Sequence, residues 1–368
     1  MTTADYRWLA YDLRTNVLRE ELPLTVKSYG GVLGGFGEFN ATLPLTAETA
    51  TLYTAATIPE RTVIYVERRG VILDGYIIWQ RRRALEAPMV LAGASLGSIF
   101  RRERIVSTLT YSGATDDQFT IFRGLLANVT AQPGGDFGIV PGSSLSGVKR
   151  DRAYNGYERK NAGDAMTELA SVDNGFDWAI DCQWDAAQTA PQRLLTLSYP
   201  RRGRIQGTTG VVFASSKNIV DYEFFEDGTR SARSVDAVGA GDGLAMLIST
   251  STDTTLIDAG YPLTSDVVSY KDISVPATLA AHAVADRRDR STTPTFLTLT
   301  VNPDDVDAGL GTWIVGDDAL VQITDLNFPV RADGSPGYQA YHRIIGYKVD
   351  VPDAGPEQLT VTLGLITS

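Results

Sequence analysis

Cys182 is the only cysteine, which excludes an intrachain disulfide and any site built from several thiolates. The chain has two histidines, His282 and His342, so imidazole catalysis and histidine metal centres have few candidates. No stretch approaches the roughly 18 consecutive apolar residues that a membrane-spanning helix needs. Met1 to Arg19 is polar and lacks the apolar core of a secretion signal, so synthesis in a cytoplasm is expected. Positive charge is also in short supply. The formal net charge is −11, the opposite of what a general nucleic-acid binder carries.

With 368 residues and 43% apolar content, two or three domains with real cores are expected. The charge is unevenly spread. Residues 1–205 hold 23 basic against 22 acidic side chains, and residues 206–368 hold 10 against 22. An ordinary acidic surface accounts for this, and so does a half that faces something it must not bind.

The chain divides around Asn161 to Asp181, which reads as helix, turn and strand. Ala165, Met166, Leu169 and Val172 recur at helical spacing, and Asn174-Gly175 supplies the stop. Phe176, Trp178 and Ile180 then alternate with Asp177, Ala179 and Asp181, a strand with one apolar face. Upstream, Thr115-Asp116-Asp117-Gln118 fits a capping box for a helix carrying Phe119, Phe122, Leu125 and Leu126. Burial of Phe122, Leu169, Phe176 and Trp178 in one core is expected, since helix and strand each have a single apolar face.

Most of the remainder reads as strands. Tyr6 to Leu22 predicts a strand pair about an Arg14-Thr15-Asn16 turn, and Thr62 to Val66, Val71 to Leu73 and Tyr76 to Trp79 predict strands with a turn at Asp74-Gly75. Gly30, Gly31, Gly34, Gly35 and Gly37 lack a following Gly-Lys-Ser/Thr and fit bulged, twisted strands better than a phosphate loop. Arg201 to Gly210 reads as a basic connection and a domain junction. Strands are predicted over 211–213, 219–225, 234–238, 297–301, 312–315, 319–324, 341–349 and 359–365, with a helix over 276–288 opened by Pro276. Ile72-Leu73-Asp74-Gly75-Tyr76 is echoed by Arg343-Ile344-Ile345-Gly346-Tyr347, as two related barrels or common strand composition would produce.

Chemical motifs are sparse. Gly93-Ala94-Ser95-Leu96-Gly97 matches a nucleophile elbow, but no alternating strands and helices surround it. Gly239-Ala240-Gly241-Asp242-Gly243 lacks the third glycine of a dinucleotide loop, and Asp305, Asp307 and Gly309 lack the terminal acid of a calcium loop. An envelope hydrolase using Ser95 or a carboxylate pair, and a sugar- or receptor-binding module stacking on Trp184, Tyr199 or Trp313, are the alternatives to a structural protein. No catalytic, metal or cofactor residue is assigned.

Several runs, in order along nearly the whole chain, carry a resemblance. They include Tyr11-Asp12-Leu13-Arg14-Thr15-Asn16, Phe39-Asn40-Ala41-Thr42-Leu43-Pro44-Leu45, Tyr65-Val66-Glu67-Arg68-Arg69-Gly70-Val71, Gly75-Tyr76-Ile77-Ile78-Trp79 and Gly260-Tyr261-Pro262-Leu263. The chain resembles the minor tail proteins of actinobacterial siphophages. The resemblance implies a tail-tip or baseplate hub, similar to the hubs of contractile phages and type VI secretion spikes. It implies a homotrimer docked on the hexameric tail tube, contacting tip or fibre proteins and passing genomic DNA without binding it, and it implies no cofactor. Some relatives extend into fibre, peptidase or lysozyme-like regions; none is expected before Ser368.

The expected fold is mainly β (α+β), with two tube-like β-barrel domains and an α/β insertion. The expected domains are 1–110, an N-terminal barrel completed by 194–238; 111–193, the insertion; and 194–368, a C-terminal barrel with one helix near 276–288. Asp236, Asp242, Asp304, Asp305, Asp317 and Asp318 are the candidate lumen-facing acids. Arg81, Arg82, Arg83 and Arg101, Arg102, Arg104 are candidates for protein interfaces.

Overall fold

The computed structural model describes residues 6–172, 174–208, 210–271, 273–274, 276–290 and 295–365. Asp173, inside the dividing stretch, lies outside them. Two compact units form, residues 1–221 with 299–368, and residues 222–298.

The strand pair at the start of the chain forms as expected, Tyr6–Asp12 against Leu18–Glu21. Asp12 fixes its turn by accepting the N–H groups of Arg14 and Thr15 and the Thr15 hydroxyl, and by pairing with Arg19 (2.5 Å) and Arg61 (2.9 Å). Burial alone pushes its carboxyl up, but these donors together hold it well below the usual carboxylate range.

Strand pairing then builds one large sheet. Its order is Ile219–Glu226, Thr295–Val301, Gln358–Leu365, Tyr338–Val351, Thr25–Val32, Glu38–Leu43, Met89–Ser95, Val71–Arg82, Thr62–Arg68, Tyr6–Asp12 and Leu18–Glu21. Val212–Ala214 joins as a branch through Asp318–Ile323, which pairs with Tyr338–Val351. This path is open at both ends, so the expectation of two tube-like β-barrel domains is not met: no sheet among the described residues closes on itself. The cause lies in the glycine-rich strand. Instead of closing an N-terminal barrel, Thr25–Val32 offers its edge to Tyr338–Val351, with Gly30 opposite Lys348 and Gly31 opposite Tyr347. A Cβ on Gly30 would stand 2.2 Å from the Tyr347 carbonyl oxygen, and one on Gly37 would stand 1.7 Å from that of Gly30. Glycine is required for this close approach of backbones.

Two further expectations need correction. Asp74-Gly75 is no turn, because Val71–Arg82 runs as one strand with Gly75 opposite Tyr65. The Tyr65 ring occupies the space a Cβ would take, 2.9 Å away, which is why an Asp-Gly pair sits in mid-strand. Residues 312–315 form no strand; the chain turns there, with Trp313 buried and its indole N–H donated to Ala308.

The helix predicted from the capping box is present but starts later, as Gln118–Thr130. Asp117 is the cap, accepting the Phe119 N–H at 2.8 Å and also the N–H groups of Ser146 and Gly147. Its carboxyl feels burial first, which raises it, yet those bonds bring it below the usual value. The second helix, Ala162–Ala170, is capped by Asn161. Strand Asp177–Trp184 pairs with Pro191–Ser198, which in turn takes Ile139–Val140 in parallel.

Phe122, Leu169, Phe176 and Trp178 share one core, with Phe122 at 5.8 Å from Phe176 and 5.2 Å from Trp178 between ring centroids. That core also takes Leu9, Val63, Ile72 and Ile77 from the large sheet. The helices are therefore fastened to the sheet through a common interior. Residues 222–298 have their own small core, in which Ala237 of a three-stranded sheet meets Leu279 and Ala283 of the helix Pro276–Arg290.

Candidate functional site

Ser95 ends a strand, and its hydroxyl accepts the Gly37 N–H at 3.1 Å. No histidine bonds to it among the described residues. His342 is buried with Nε2 on the Tyr338 hydroxyl (2.5 Å), and His282 packs its ring 4.3 Å from that of Tyr270. Gly239 to Gly243 is a turn between strands. Asp305 caps its own loop through the N–H groups of Asp307 and Ala308, while Asp307 pairs with Lys217 (2.5 Å). Among the described residues no three His, Cys, Asp or Glu side chains are grouped to hold a metal ion. The aromatics proposed for stacking sugars divide: Trp313 is buried, Trp184 is partly buried and Tyr199 is exposed.

The six candidate lumen acids are differently placed. Asp317 and Asp318 are buried. Asp317 takes the Arg204 guanidinium (2.5 Å) and backbone N–H (2.6 Å), and Asp318 takes Arg201 (2.5 Å) and the Gln206 N–H (2.6 Å). Asp304 is exposed and bridges Arg68 (2.5 Å) and Arg69 (2.7 Å). Asp305 and Asp236 are half-buried, the latter accepting the Thr250 hydroxyl, and Asp242 is exposed. Asp236 and Asp242 belong to the smaller unit and the other four to the larger.

Arg82, Arg83, Arg101, Arg102 and Arg104 are exposed, and Arg81 is half-buried. Among the described residues none of the six pairs with a carboxylate within 4 Å. Arg81 instead donates to the Thr54 and Thr57 carbonyls at the end of the short helix Ala50–Ala56, and Arg101 stacks 4.5 Å from the Phe36 ring centre.

Two sets of residues escaped the sequence reading. Arg193 is fully buried with no carboxylate partner among the described residues; it donates to the Tyr65 hydroxyl (2.6 Å), the Leu13 carbonyl (2.6 Å), the Phe137 carbonyl (2.5 Å) and Asn16 Oδ1 (3.0 Å). Within the basic connection read over Arg201 to Gly210, residues 201–206 carry a set of ion pairs. Arg202 forks onto Asp181 (2.6 and 2.8 Å), Arg201 and Arg204 hold Asp318 and Asp317, and Arg343 reaches back to Asp177.

No protein-family model matches this chain, and no curated protein does. Solved structures do. A tail protein from Neisseria meningitidis is similar at TM-score 0.60 and 15% identity, over 98% of this chain and 96% of that one. The 43 kDa tail protein of prophage MuSo2 from Shewanella oneidensis gives 0.63 and 10%, over 97% of each. Prophage tail protein gp18 from Listeria monocytogenes gives 0.52 and 12%, over 97% and 94%. The fold is that of phage tail proteins. At these identities the likeness is one of architecture, and it extends over 94–98% of the chains compared.

Proposed function

We propose that this chain is a structural hub of a phage tail tip, from an actinobacterial siphophage, and that it works by assembly. The observation that carries this reading is the end-to-end match of fold with three phage tail proteins of nearly the same length. In this reading three copies form a ring that joins the tail tube to tip or fibre proteins, and the genome leaves through its centre. Asp236 and Asp242, of the smaller unit, supply negative charge to the wall of that passage; Asp304 is already held by Arg68 and Arg69. Asp317 and Asp318 contribute less, because each is buried against an arginine. Duplex DNA carries one negative charge per ~1.7 Å, and an acidic wall repels it over roughly 8 Å at physiological salt. The exposed Arg82, Arg83, Arg101, Arg102 and Arg104 face protein neighbours.

Light scattering on the purified chain, alone and mixed with the cognate tube protein, tests the assembly. A species of three chain masses is expected. A chain that stays monomeric in both conditions, or forms a dimer, overturns the reading. In virions, Asp236→Lys with Asp242→Lys should leave assembly intact and slow DNA ejection, and unchanged ejection would remove the electrostatic part.

A further inference from the structure

A cavity of about 410 Å³ opens in the larger unit, lined by residues from the glycine-rich segment Gly31 to Gly37, the start of strand Val71–Arg82, strand Asp177–Trp184 and the turn around Trp313. That volume lies within the roughly 300–1,000 Å³ range of small-ligand sites. Its walls are aromatic: Phe36 packs edge-on to Trp178 at 6.2 Å, and Trp313 packs edge-on to Tyr347 at 5.7 Å. Glycine makes this arrangement possible, since a Cβ on Gly97 would stand 2.8 Å from the Phe36 ring. Three aliphatic side chains that line the cavity remain open to solvent, Val32 at 53%, Val71 at 58% and Ile314 at 46%, and so form an apolar mouth.

Two carboxylates stand in this lining, Asp74 and Asp181. Arg202 neutralises Asp181 through its two-pronged bond. Asp74 has no cation within 4 Å among the described residues; it accepts the Gly75 N–H at 2.7 Å. Burial pushes its carboxyl up to about 7, the nearby Asp181 charge adding to this while the Gly75 N–H, a side-chain bond to Tyr76 and the charge of Arg202 oppose it. Removing a carboxylate from water is costly unless a cation joins it. The cavity therefore presents an apolar mouth, aromatic walls and one carboxylate with no cation in direct contact among the described residues.

We propose that this cavity is a binding site for a primary ammonium group on an aliphatic stem, with the ammonium on Asp74 and the stem between Phe36, Trp178 and Tyr347. Ammonium groups are attracted by aromatic faces as well as by carboxylates. An anion would meet the Asp74 carboxylate, since Arg202 and Asp181 already satisfy each other, and a neutral apolar guest would bring Asp74 no cation. The chemistry is shared by a free alkylamine and by a lysine side chain of a neighbouring protein.

The test titrates n-hexylamine, n-hexanol and the blocked peptide acetyl-Gly-Lys-Gly-amide into the full chain at pH 8, following tryptophan fluorescence. Trp178 and Trp313 line the cavity and should report occupancy. Saturable binding of the amine is expected, with hexanol at least tenfold weaker. Asp74→Asn should weaken the amine at least tenfold, and Val71→Trp, placed across the mouth, should do the same without touching the acid. Binding of the peptide as well would assign the site to a protein lysine, and binding of the amine alone to a free amine. Absence of saturable amine binding, equal affinity for hexanol, or undiminished binding in Val71→Trp or in a natively folded Asp74→Asn would overturn the proposal.

Discussion

Replacing Arg193 by methionine tests whether a buried guanidinium with no carboxylate partner holds the inner strand pair to the start of the chain. Its donors reach Leu13 and Asn16 on one side of the core, Tyr65 in the large sheet and Phe137 in the loop after the first long helix. Methionine has similar length and no donor. The Tyr65 hydroxyl and Asn16 Oδ1 would keep their bond to each other (3.2 Å), so the loss falls on the Leu13 and Phe137 carbonyls. A buried acceptor left without a donor costs about 1–3 kcal/mol, so the two together cost about 2–6 kcal/mol. Release from burying a charge offsets part of this, leaving an expected loss of about 3 kcal/mol. Arg193→Lys keeps the charge and one nitrogen for the two carbonyls, which a single Nη1 serves in the wild type, but loses the Nε and Nη2 bonds to Tyr65 and Asn16, and should fall between wild type and Arg193→Met. All five tryptophans, Trp8, Trp79, Trp178, Trp184 and Trp313, belong to the larger unit, so urea unfolding followed by tryptophan fluorescence reads this unit alone. A loss below about 1 kcal/mol in Arg193→Met would show that water or a relaxed backbone satisfies those carbonyls, and the reasoning would fail.

Trp178→Ala should cost about 3–5 kcal/mol in the same assay, as large aromatic truncations in cores do; a loss under 1 kcal/mol would mean the core collapses around the gap. Gly37→Ala places a methyl where the Gly30 carbonyl stands, at 1.7 Å, so the two strands must part, and a loss of about 3 kcal/mol or a fall in soluble yield is expected. Asp12 carries a depressed carboxyl, so its contribution is complete above the ordinary aspartate value near ~4 and is lost as pH falls below it. Unfolding free energy measured at pH 6 and pH 3 should therefore drop less in Asp12→Asn than in the wild type, and equal drops would contradict the assignment. Ser95→Ala should leave a serine-directed phosphonate as unreactive as it is with the wild type, because the hydroxyl has no base; labelling lost on substitution would restore the hydrolase reading.

The local pattern was legible wherever one face of an element is apolar. Helical spacing at Ala165, Met166 and Leu169, and alternation at Phe176, Trp178 and Ile180, placed the core around Trp178. The same rule carried a signal about Arg193. In Pro191–Ser198 the buried positions are Pro191, Arg193, Leu195 and Leu197, a strict alternation with an arginine in it. An arginine in phase with buried leucines marks a buried, bonded charge. Global pairing was not legible. The glycine-rich run around Gly30 and the strand predicted over 341–349 were each legible as strand, but not that they are neighbours some 300 residues apart in sequence. Asp74-Gly75 misled for a similar reason: the pair normally signals a turn, and only the Tyr65 ring across the sheet shows why glycine is needed there.

The charge asymmetry shows where sequence and structure part most clearly. From composition, a near-neutral first half and an acidic second half suggest a surface meant to repel. Many of those acids meet basic groups of the first half: Asp353 with Lys27, Asp304 with Arg68 and Arg69, Glu357 with Arg68, Asp317 with Arg204, and Asp318 with Arg201. The surplus on one side thus reads in part as half of a set of pairs between the two halves of the chain. Their worth differs with depth. Exposed Asp304 and Arg69 gain roughly 0–1 kcal/mol from pairing, whereas stripping Arg204 from buried Asp317 leaves a charge in the interior and costs about 3–5 kcal/mol. Burial thus sorts the acids by role. Asp317 and Asp318 fasten residues 201–206 to the last third of the chain, whereas Asp242 is exposed and Asp236 is half-buried on the Thr250 hydroxyl.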